Sequence, residues 1–212
     1  MRNIPPRKNI RFSPEQTLKA YPELAKKGPD DCIVLYQGDV SLARGIGRFV
    51  EALEFLPPSF RVIVAGGGPD LERLCAMAER FSREGRFVSL GRIENEKLPS
   101  VTLLADLGVV CYPFSGLNNI NCAPNKLFEY AQAGLPVVAT DQPPLKSAIE
   151  AYGIGAVVQE NSSAEQIAKV LCEVFNKRLD YRKRLEFFLN ANRWENESAR
   201  VQKAINNNLS VI

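Results

Sequence analysis

The chain has 212 residues, of which 45% are hydrophobic and 24% charged, so it has the composition of an ordinary globular protein rather than a disordered or fibrous one. The 27 Lys and Arg against 24 Asp and Glu give a net charge of +3, too small to indicate nucleic acid as a partner. The absence of His removes the commonest general base and metal ligand, and neither a metal site nor a cofactor is predicted.

The cysteine pattern and the apolar segments predict where the protein works. Five cysteines are scattered through apolar runs without C-x-x-C spacing, which is typical of reduced intracellular thiols. No apolar stretch approaches the ~18 residues of a membrane-spanning helix, and the first residues lack the apolar core of a signal peptide. We therefore expect a cytoplasmic protein.

Residues 1–30 are predicted to be a linker-like lead-in that contains one short helix. They are rich in proline and in basic residues such as Arg7 and Lys8. Ser13 can cap a helix, Pro14 suits its first turn, and Gln16 stands where a capping box needs an amide or carboxylate. Gly28 follows and would end the segment.

From residue 31 the chain alternates between short apolar runs and segments of helical periodicity. The predicted strands are residues 32–36, 62–65, 87–90, 107–112, 137–139 and 156–158. Helices are predicted over residues 46–53, 71–78, 96–105, 127–133, 164–175, 181–189 and onward from Trp194. This order predicts an α/β fold: a single Rossmann-like domain over residues 31–176 with a parallel sheet of about six strands flanked by helices, followed by carboxyl-terminal helices over residues 177–212.

Ligands of such sheets bind outside the carboxyl ends of the strands, so the following loops are candidate sites. The second strand ends in Gly66, Gly67 and Gly68, whose backbone could approach a phosphate closely or could simply make a tight turn. The loop after the first strand lacks the G-x-G-x-x-G pattern. That absence disfavours a nicotinamide-dependent oxidoreductase, which stays open only because the sheet pattern allows it.

The loop before the fourth predicted helix contains a second candidate site. Asn125 is predicted to be the N-cap, which would place Lys126 at the first helical position. An anion at that helix end would attract both the lysine and the free backbone amides, while Glu129, one turn further, could accept hydrogen bonds from sugar hydroxyls. The alternative is a solvated lysine and a glutamate that only favours the helix end. Arg44 could likewise clamp a diphosphate or could be an ordinary exposed arginine.

An ordered set of motifs resembles the carboxyl-terminal, donor-binding domain of the retaining glycosyltransferases of family 4, the group 1 transferases. The motifs are Tyr36-Gln37-Gly38, Arg44-Gly45 and residues 64–69, 90–93, 105–108, 124–130 and 133–140. The resemblance implies the second half of a GT-B fold, in which two Rossmann-like domains face each other across a cleft. It also implies a nucleotide-diphosphate sugar donor and metal-independent transfer with retention of the anomeric configuration.

The resemblance also assigns the site residues. Arg44 matches a basic residue that contacts the donor diphosphate, Lys126 lies at the phosphate-binding helix start, and Glu129 matches the glutamate that binds the ribose; these three are the predicted catalytic residues. The predicted substrate-binding residues are Gly38, Gly66, Gly67, Arg92, Asn121, Asn125, Leu127 and Phe128. Two positions depart from the family: Asn121 stands where a first glutamate is expected, and Asp39 where an arginine often follows the first-strand glycine.

The expected function is that of the donor-binding half of a retaining hexosyltransferase. It would bind a UDP- or GDP-sugar and transfer the glycosyl group to a sugar, a lipid-linked sugar or a polysaccharide precursor, with an acceptor-binding domain supplied by a partner chain that residues 177–212 could contact. The alternative is a non-catalytic nucleotide-sugar-binding or assembly subunit. Basic residues alternate with apolar ones over residues 177–189, which indicates either an ordinary surface helix or peripheral contact with the inner face of the membrane.

Overall fold

A six-stranded parallel sheet forms the middle layer of the protein in the computed structural model, which describes residues 4–6, 10–26 and 28–209. The strands are β1 (Cys32–Gln37), β2 (Phe60–Ala65), β3 (Phe87–Gly91), β4 (Leu107–Val110), β5 (Val137–Thr140) and β6 (Gly155–Val158). Their order across the sheet is β3-β2-β1-β4-β5-β6. The six predicted strands and the α/β fold are confirmed. Arg7 and Lys8 of the lead-in and residues 210–212 of the last helical segment lie outside the described residues.

Eleven α-helices are found within the described residues. They are α1 (Pro14–Ala20), α2 (Ile46–Glu51), α3 (Leu71–Met77), α4 (Glu79–Arg83), α5 (Leu98–Thr102), α6 (Leu117–Ile120), α7 (Asn125–Gln132), α8 (Pro143–Tyr152), α9 (Ala164–Asn176), α10 (Arg178–Ala191) and α11 (Trp194–Leu209). Of these, α4, α6 and α8 are not predicted by the sequence pattern. In the part of the chain that the structure describes, none of these helices has both the length and the apolar content to cross a bilayer.

Both faces of the sheet are covered, because β1, β2, β4 and β5 consist of buried residues throughout. Alternate strand residues point to opposite faces. Val34 and Tyr36 join the core under α2 and α9, whereas Ile33 and Leu35 join the core under α7, α8 and α10. The result is a three-layer α/β/α arrangement.

The lead-in packs against the edge of the strands at the amino ends of β1 and β2. Ser13 and Gln16 form the predicted capping box at α1. The guanidinium of Arg61, on β2, donates to the carbonyl oxygens of Glu23 and Ala25 at 2.7 and 2.8 Å. Residues 10–26 are therefore part of the folded unit.

The strand order fixes where a ligand can bind. β1 lies between β2 and β4, and the chain reverses its direction of progress across the sheet between these neighbours. The connections on either side of that point leave the sheet in opposite directions, so a crevice opens at the carboxyl ends of β1 and β4. The loops after β1, β2 and β4, which contain most of the predicted site residues, lie at this end of the sheet.

Candidate functional site

The ammonium group of Lys126 is buried beneath the carboxyl end of β1, between two tyrosine rings. Its Nζ is 4.5 Å from the ring centre of Tyr36 and 5.5 Å from that of Tyr112. The lysine is 8% exposed, and its Nζ has no hydrogen-bond partner among the described residues. Cation–π contacts compensate only part of the cost of burying a charge. Lys126 is thus a cation whose site lacks an acceptor, and the alternative of a solvated lysine is wrong.

Burial lowers the pKa of Lys126 to about 8, and the nearby positive charge of Arg44 acts in the same direction. Glu129 and Asp39 oppose the shift. Most of the population therefore carries the charge at neutral pH, at a cost that a bound anion would reduce.

Gly38 covers the amine from the solvent side. A Cβ placed on Gly38 would lie 3.7 Å from Nζ of Lys126, and Gly38 itself is exposed at the end of β1. Its φ of +109° favours glycine, because side chains at such angles clash with the backbone. Only the thickness of this loop separates the amine from the crevice.

Arg44 also contacts the ring of Tyr112. Its Cζ is 5.4 Å from the ring centre of that tyrosine, and its Nη2 is 3.5 Å from Oδ2 of Asp39. The side chain of Arg44 is 30% exposed and that of Asp39 52%. Arg44 and Lys126 are therefore two cations that share one aromatic ring, and Asp39 occupies part of the position from which an anion would contact Arg44.

The glycine-rich turn after β2 has two different roles. A Cβ on Gly66 would lie 1.8 Å from the carbonyl oxygen of Gly38, and one on Gly68 would lie 2.3 Å from that of Val40. These glycines allow the loops after β1 and β2 to pack together, which is the tight-turn interpretation. Gly67 differs, because the nearest atom to its Cβ would be Nε of Arg92 at 3.7 Å.

Gly67 and Arg92 line a cleft of about 640 Å³ that also contains Gly38, Gly66 and Asp39. Its far wall is formed by residues after β3 and by the start of α5, including Glu94, Asn95 and Leu98. A nucleoside-sized molecule fits this volume. Arg92, predicted to bind substrate, is exposed where it lines this cleft.

Glu129 is held on the β1 side of α7. Its Oε2 accepts a hydrogen bond from Nε2 of Gln37, the last residue of β1. Gln37 is buried, and Glu129 is half-buried. The carboxylate therefore has a fixed position beside the carboxyl end of β1, close to the crevice.

The start of α7 differs from the prediction. The N-cap is Pro124 and not Asn125, which is the first helical residue and is exposed, so Lys126 occupies the second helical position. Pro124 has the extended backbone that a cap requires, and proline lacks the amide that a cap would otherwise leave unpaired. The side chain of Pro124 cannot cap the first turn, so the amides of that turn stay available to a ligand.

The side chains of three further predicted residues are engaged elsewhere in the structure. Leu127 and Phe128 are buried in the core, where Phe128 stacks on Phe188 with ring centres 5.3 Å apart. Only their main chain is left for substrate contact. Asn121 is exposed at the end of α6, where its Nδ2 donates to the Leu117 carbonyl at 3.1 Å.

The aromatic walls of the site and the support of Glu129 are not predicted by the sequence pattern. Tyr36 is the next-to-last residue of β1, Tyr112 lies two residues after β4, and Gln37 holds Glu129. Tyr36 and Tyr112 are the last residues of two predicted strands and Gln37 follows the first of them, so their positions at strand ends were the available signal. Their contacts depend on the strand order, which places β4 next to β1.

Comparisons with known proteins agree with this geometry. Residues 18–193 match the family described as glycosyl transferases group 1. WaaG, a glycosyltransferase involved in lipopolysaccharide biosynthesis, superposes with a TM-score of 0.67 at 22% identity over 88% of this chain and 50% of its own. Anabaena Alr3699/HepE, solved with UDP and glucose, gives 0.69 at 17% identity over 95% and 53%. The carboxyl-terminal domain of the group 1 protein LpcC from Francisella tularensis gives 0.63 at 20% identity over 88% and 94%.

No curated protein is significantly similar to this chain in sequence. The chain spans about half the length of the solved WaaG and HepE chains. The superpositions show that the fold is that of the carboxyl-terminal, Rossmann-like halves of GT-B glycosyltransferases. Because the family match covers most of its length, the chain belongs to the glycosyl transferases group 1 family.

Proposed function

We propose that this glycosyltransferase domain binds a UDP- or GDP-sugar and transfers its glycosyl group, with retention, once an acceptor-binding domain is present. The main support is the buried ammonium of Lys126, which has no hydrogen-bond partner within the described part of the chain and lies under the exposed Gly38. A diphosphate bound against Gly38 would bring acceptor oxygens toward this amine. The UDP-bound HepE structure is a relative of the same fold with such a ligand.

In this proposal Arg44, Lys126 and the first amides of α7 bind the diphosphate, and Glu129 accepts hydrogen bonds from the ribose. As the glycosyl–phosphate bond breaks, negative charge grows on the departing diphosphate, and the two cations stabilise it most at that stage. The same charges would serve in place of a metal ion, so we propose that donor binding needs none.

A second candidate function is a nucleotide-sugar-binding or assembly subunit without turnover. Asn121 supports it, because a neutral amide at this position cannot stabilise positive charge developing at the anomeric carbon. The exposed amide of Asn121 also bonds to its own helix. Transfer assays with and without a protein that carries the acceptor-binding half distinguish the two: sugar transfer in the mixture supports the enzyme, and donor binding without transfer supports the subunit.

Calorimetric titration tests donor binding directly. We expect heat from UDP or GDP at micromolar to millimolar concentration, unchanged by EDTA, and none from NADH. The titrated protein should also gain thermal stability from the same nucleotide, because a ligand that binds only the folded state raises its stability. Absence of a signal with both nucleoside diphosphates at millimolar concentration contradicts the proposal, and a signal with NADH alone would favour an oxidoreductase.

Removing the charge of Asp39 should strengthen nucleotide binding. Asp39 lies 3.5 Å from Arg44 and repels an incoming diphosphate, so Asp39→Asn should lower the Kd for UDP or GDP about three- to tenfold. The effect should fade as salt is added. Asp180→Asn is the matched control, since Asp180 is an exposed partner of Lys183 at 3.3 Å on α10. Equal Kd values for Asp39→Asn and the native protein would contradict this role for Asp39.

We also propose a cytoplasmic location with peripheral contact at the inner membrane surface. α10 exposes Leu179 and Phe187 with 62% and 68% of their surface accessible, and the exposed Lys183 lies one turn from each. Co-sedimentation with anionic vesicles that is lost in Phe187→Ser would support this contact, and equal sedimentation of both proteins would contradict it.

A further inference from the structure

Gln37 is a buried glutamine whose polar groups bond to residues of the candidate site or its support. It is 2% exposed at the carboxyl end of β1. Its backbone N–H donates to the hydroxyl oxygen of Tyr130 at 3.0 Å, and its side-chain Nε2 donates to Oε2 of Glu129. Its Oε1 accepts a hydrogen bond from Oγ1 of Thr102, on α5, at 3.0 Å.

These contacts allow one orientation of the glutamine amide. A carboxylate only accepts hydrogen bonds, so the NH₂ group must face Glu129 and the carbonyl oxygen must face Thr102. The hydroxyl of Thr102 can donate to that oxygen, although the carbonyl of Leu98, at 2.8 Å, is a second acceptor for it. Reversing the amide would place its carbonyl oxygen against a carboxylate, which is unfavourable.

The chain of contacts therefore joins three elements at one carboxylate. β1 supplies Gln37, α5 supplies Thr102 and α7 supplies Glu129. A charge-assisted hydrogen bond in a buried setting is stronger than one between neutral groups, and it loses little to competing water. Glu129 is also adjacent to Tyr130, whose hydroxyl is fixed against the backbone of the same residue, Gln37.

We propose that Gln37 is the positioning residue that holds Glu129 in place to bind ribose hydroxyls, and that Thr102 sets the orientation of the Gln37 amide. This inference rests on the proposed donor function, and it adds the residue that would make the site select ribonucleotides. Gln37 would not touch the ligand itself. Its effect is confined to the part of the affinity that depends on the ribose hydroxyls.

A comparison of nucleotides with and without those hydroxyls tests the assignment. The probes are UDP and GDP, each paired with its 2′,3′-dideoxy analogue, and the readout is the ratio of the two Kd values for each pair. We expect the native protein to prefer the ribonucleotide. Gln37→Met keeps the length of the side chain but cannot donate, and it should reduce that preference about tenfold while the Kd of the dideoxy analogue stays unchanged.

Thr102→Val provides a second variant and a matched control. It removes the donor to Gln37 with little change of shape and should reduce the preference about threefold. Thr17→Val is the control, because Thr17 is equally buried and bonds to a carbonyl four residues earlier, as Thr102 does, but its hydroxyl donates to Ser13 and not to Gln37. It should leave the ratio unchanged.

The possible outcomes separate the two proposals. A native ribose preference that persists in Gln37→Met and Thr102→Val overturns the role of Gln37 and leaves donor binding intact. No preference in the native protein overturns the assignment of Glu129 and, with it, that of Gln37. A loss of affinity for both members of each pair would show that Gln37 only stabilises the fold, and it would also overturn the inference.

Discussion

Lys126→Met is expected to weaken UDP or GDP binding about a hundredfold, the loss typical of a hydrogen bond to a charged group in a site closed to water. The same change should stabilise the protein by about 2 kcal/mol, because methionine fills the space between Tyr36 and Tyr112 without the cost of a buried charge. The two effects have opposite signs, whereas a variant that only damages the fold would lose both nucleotide affinity and stability. Calorimetry for binding and chemical denaturation for stability measure the two effects.

The pH dependence gives an independent check on the same lysine. Its pKa is about 8 in the folded protein, against 10.5 for an ordinary solvated lysine. Between these values the unfolded chain binds more protons, so the free energy of unfolding of the native protein should rise with pH by up to about 1.4 kcal/mol per unit relative to Lys126→Met. The destabilisation by the buried charge is complete below pH 8 and gone above pH 10.5.

The control for Lys126→Met is Lys146→Met, which removes an exposed lysine of α8. It should change neither nucleotide binding nor the pH dependence. If Lys126→Met binds UDP and GDP as the native protein does, the ammonium is not part of a diphosphate site.

Gly66→Ala is expected to destabilise the protein by about 3 kcal/mol, whereas Gly67→Ala should leave its stability unchanged. A Cβ on Gly66 would lie 1.8 Å from the carbonyl oxygen of Gly38, and backbone cannot move aside as a flexible side chain can. At Gly67 the nearest atom is Nε of Arg92 at 3.7 Å, so the added methyl group would narrow the cleft instead.

Nucleotide affinity should respond to the change at Gly67, whereas stability should respond to the change at Gly66. Gly67→Ala should bind UDP or GDP about tenfold more weakly while it unfolds at the native denaturant concentration. Denaturation and titration of the two variants side by side check both parts. Native stability of Gly66→Ala would show that the loops after β1 and β2 tolerate separation.

The sheet could be predicted from the sequence because its strands are continuous apolar runs that end at glycine or polar residues. α8 could not, since it begins with two prolines and buries only Leu145 and Ile149, too few for a clear period. The burial of Lys126 was also not predictable. Its aromatic surroundings come from residues far apart in sequence, and a lysine at a helix start is exposed in most proteins.

The predicted role of Glu129 illustrates the same limit. Its spacing from Lys126 correctly placed both on one side of α7, yet nothing in the local sequence shows that Gln37 would hold its carboxylate. That contact depends on α7 crossing the end of β1, which follows from the strand order. Relations within one helix or strand could be predicted from the local sequence, whereas contacts between helices and strands could not.

Gly108 on β4 has a consequence for how the site can move. A Cβ there would overlap the ring of Tyr130, so the missing side chain admits that ring against the sheet, where its hydroxyl lies 3.1 and 3.3 Å from the carbonyl oxygens of Leu35 and Val109. The inserted ring and its hydrogen bonds hold α7 against the sheet and oppose sliding of the helix along the strands. We therefore expect α7 to keep its position on the sheet when a ligand arrives, so that the backbone amides at its start are already in place.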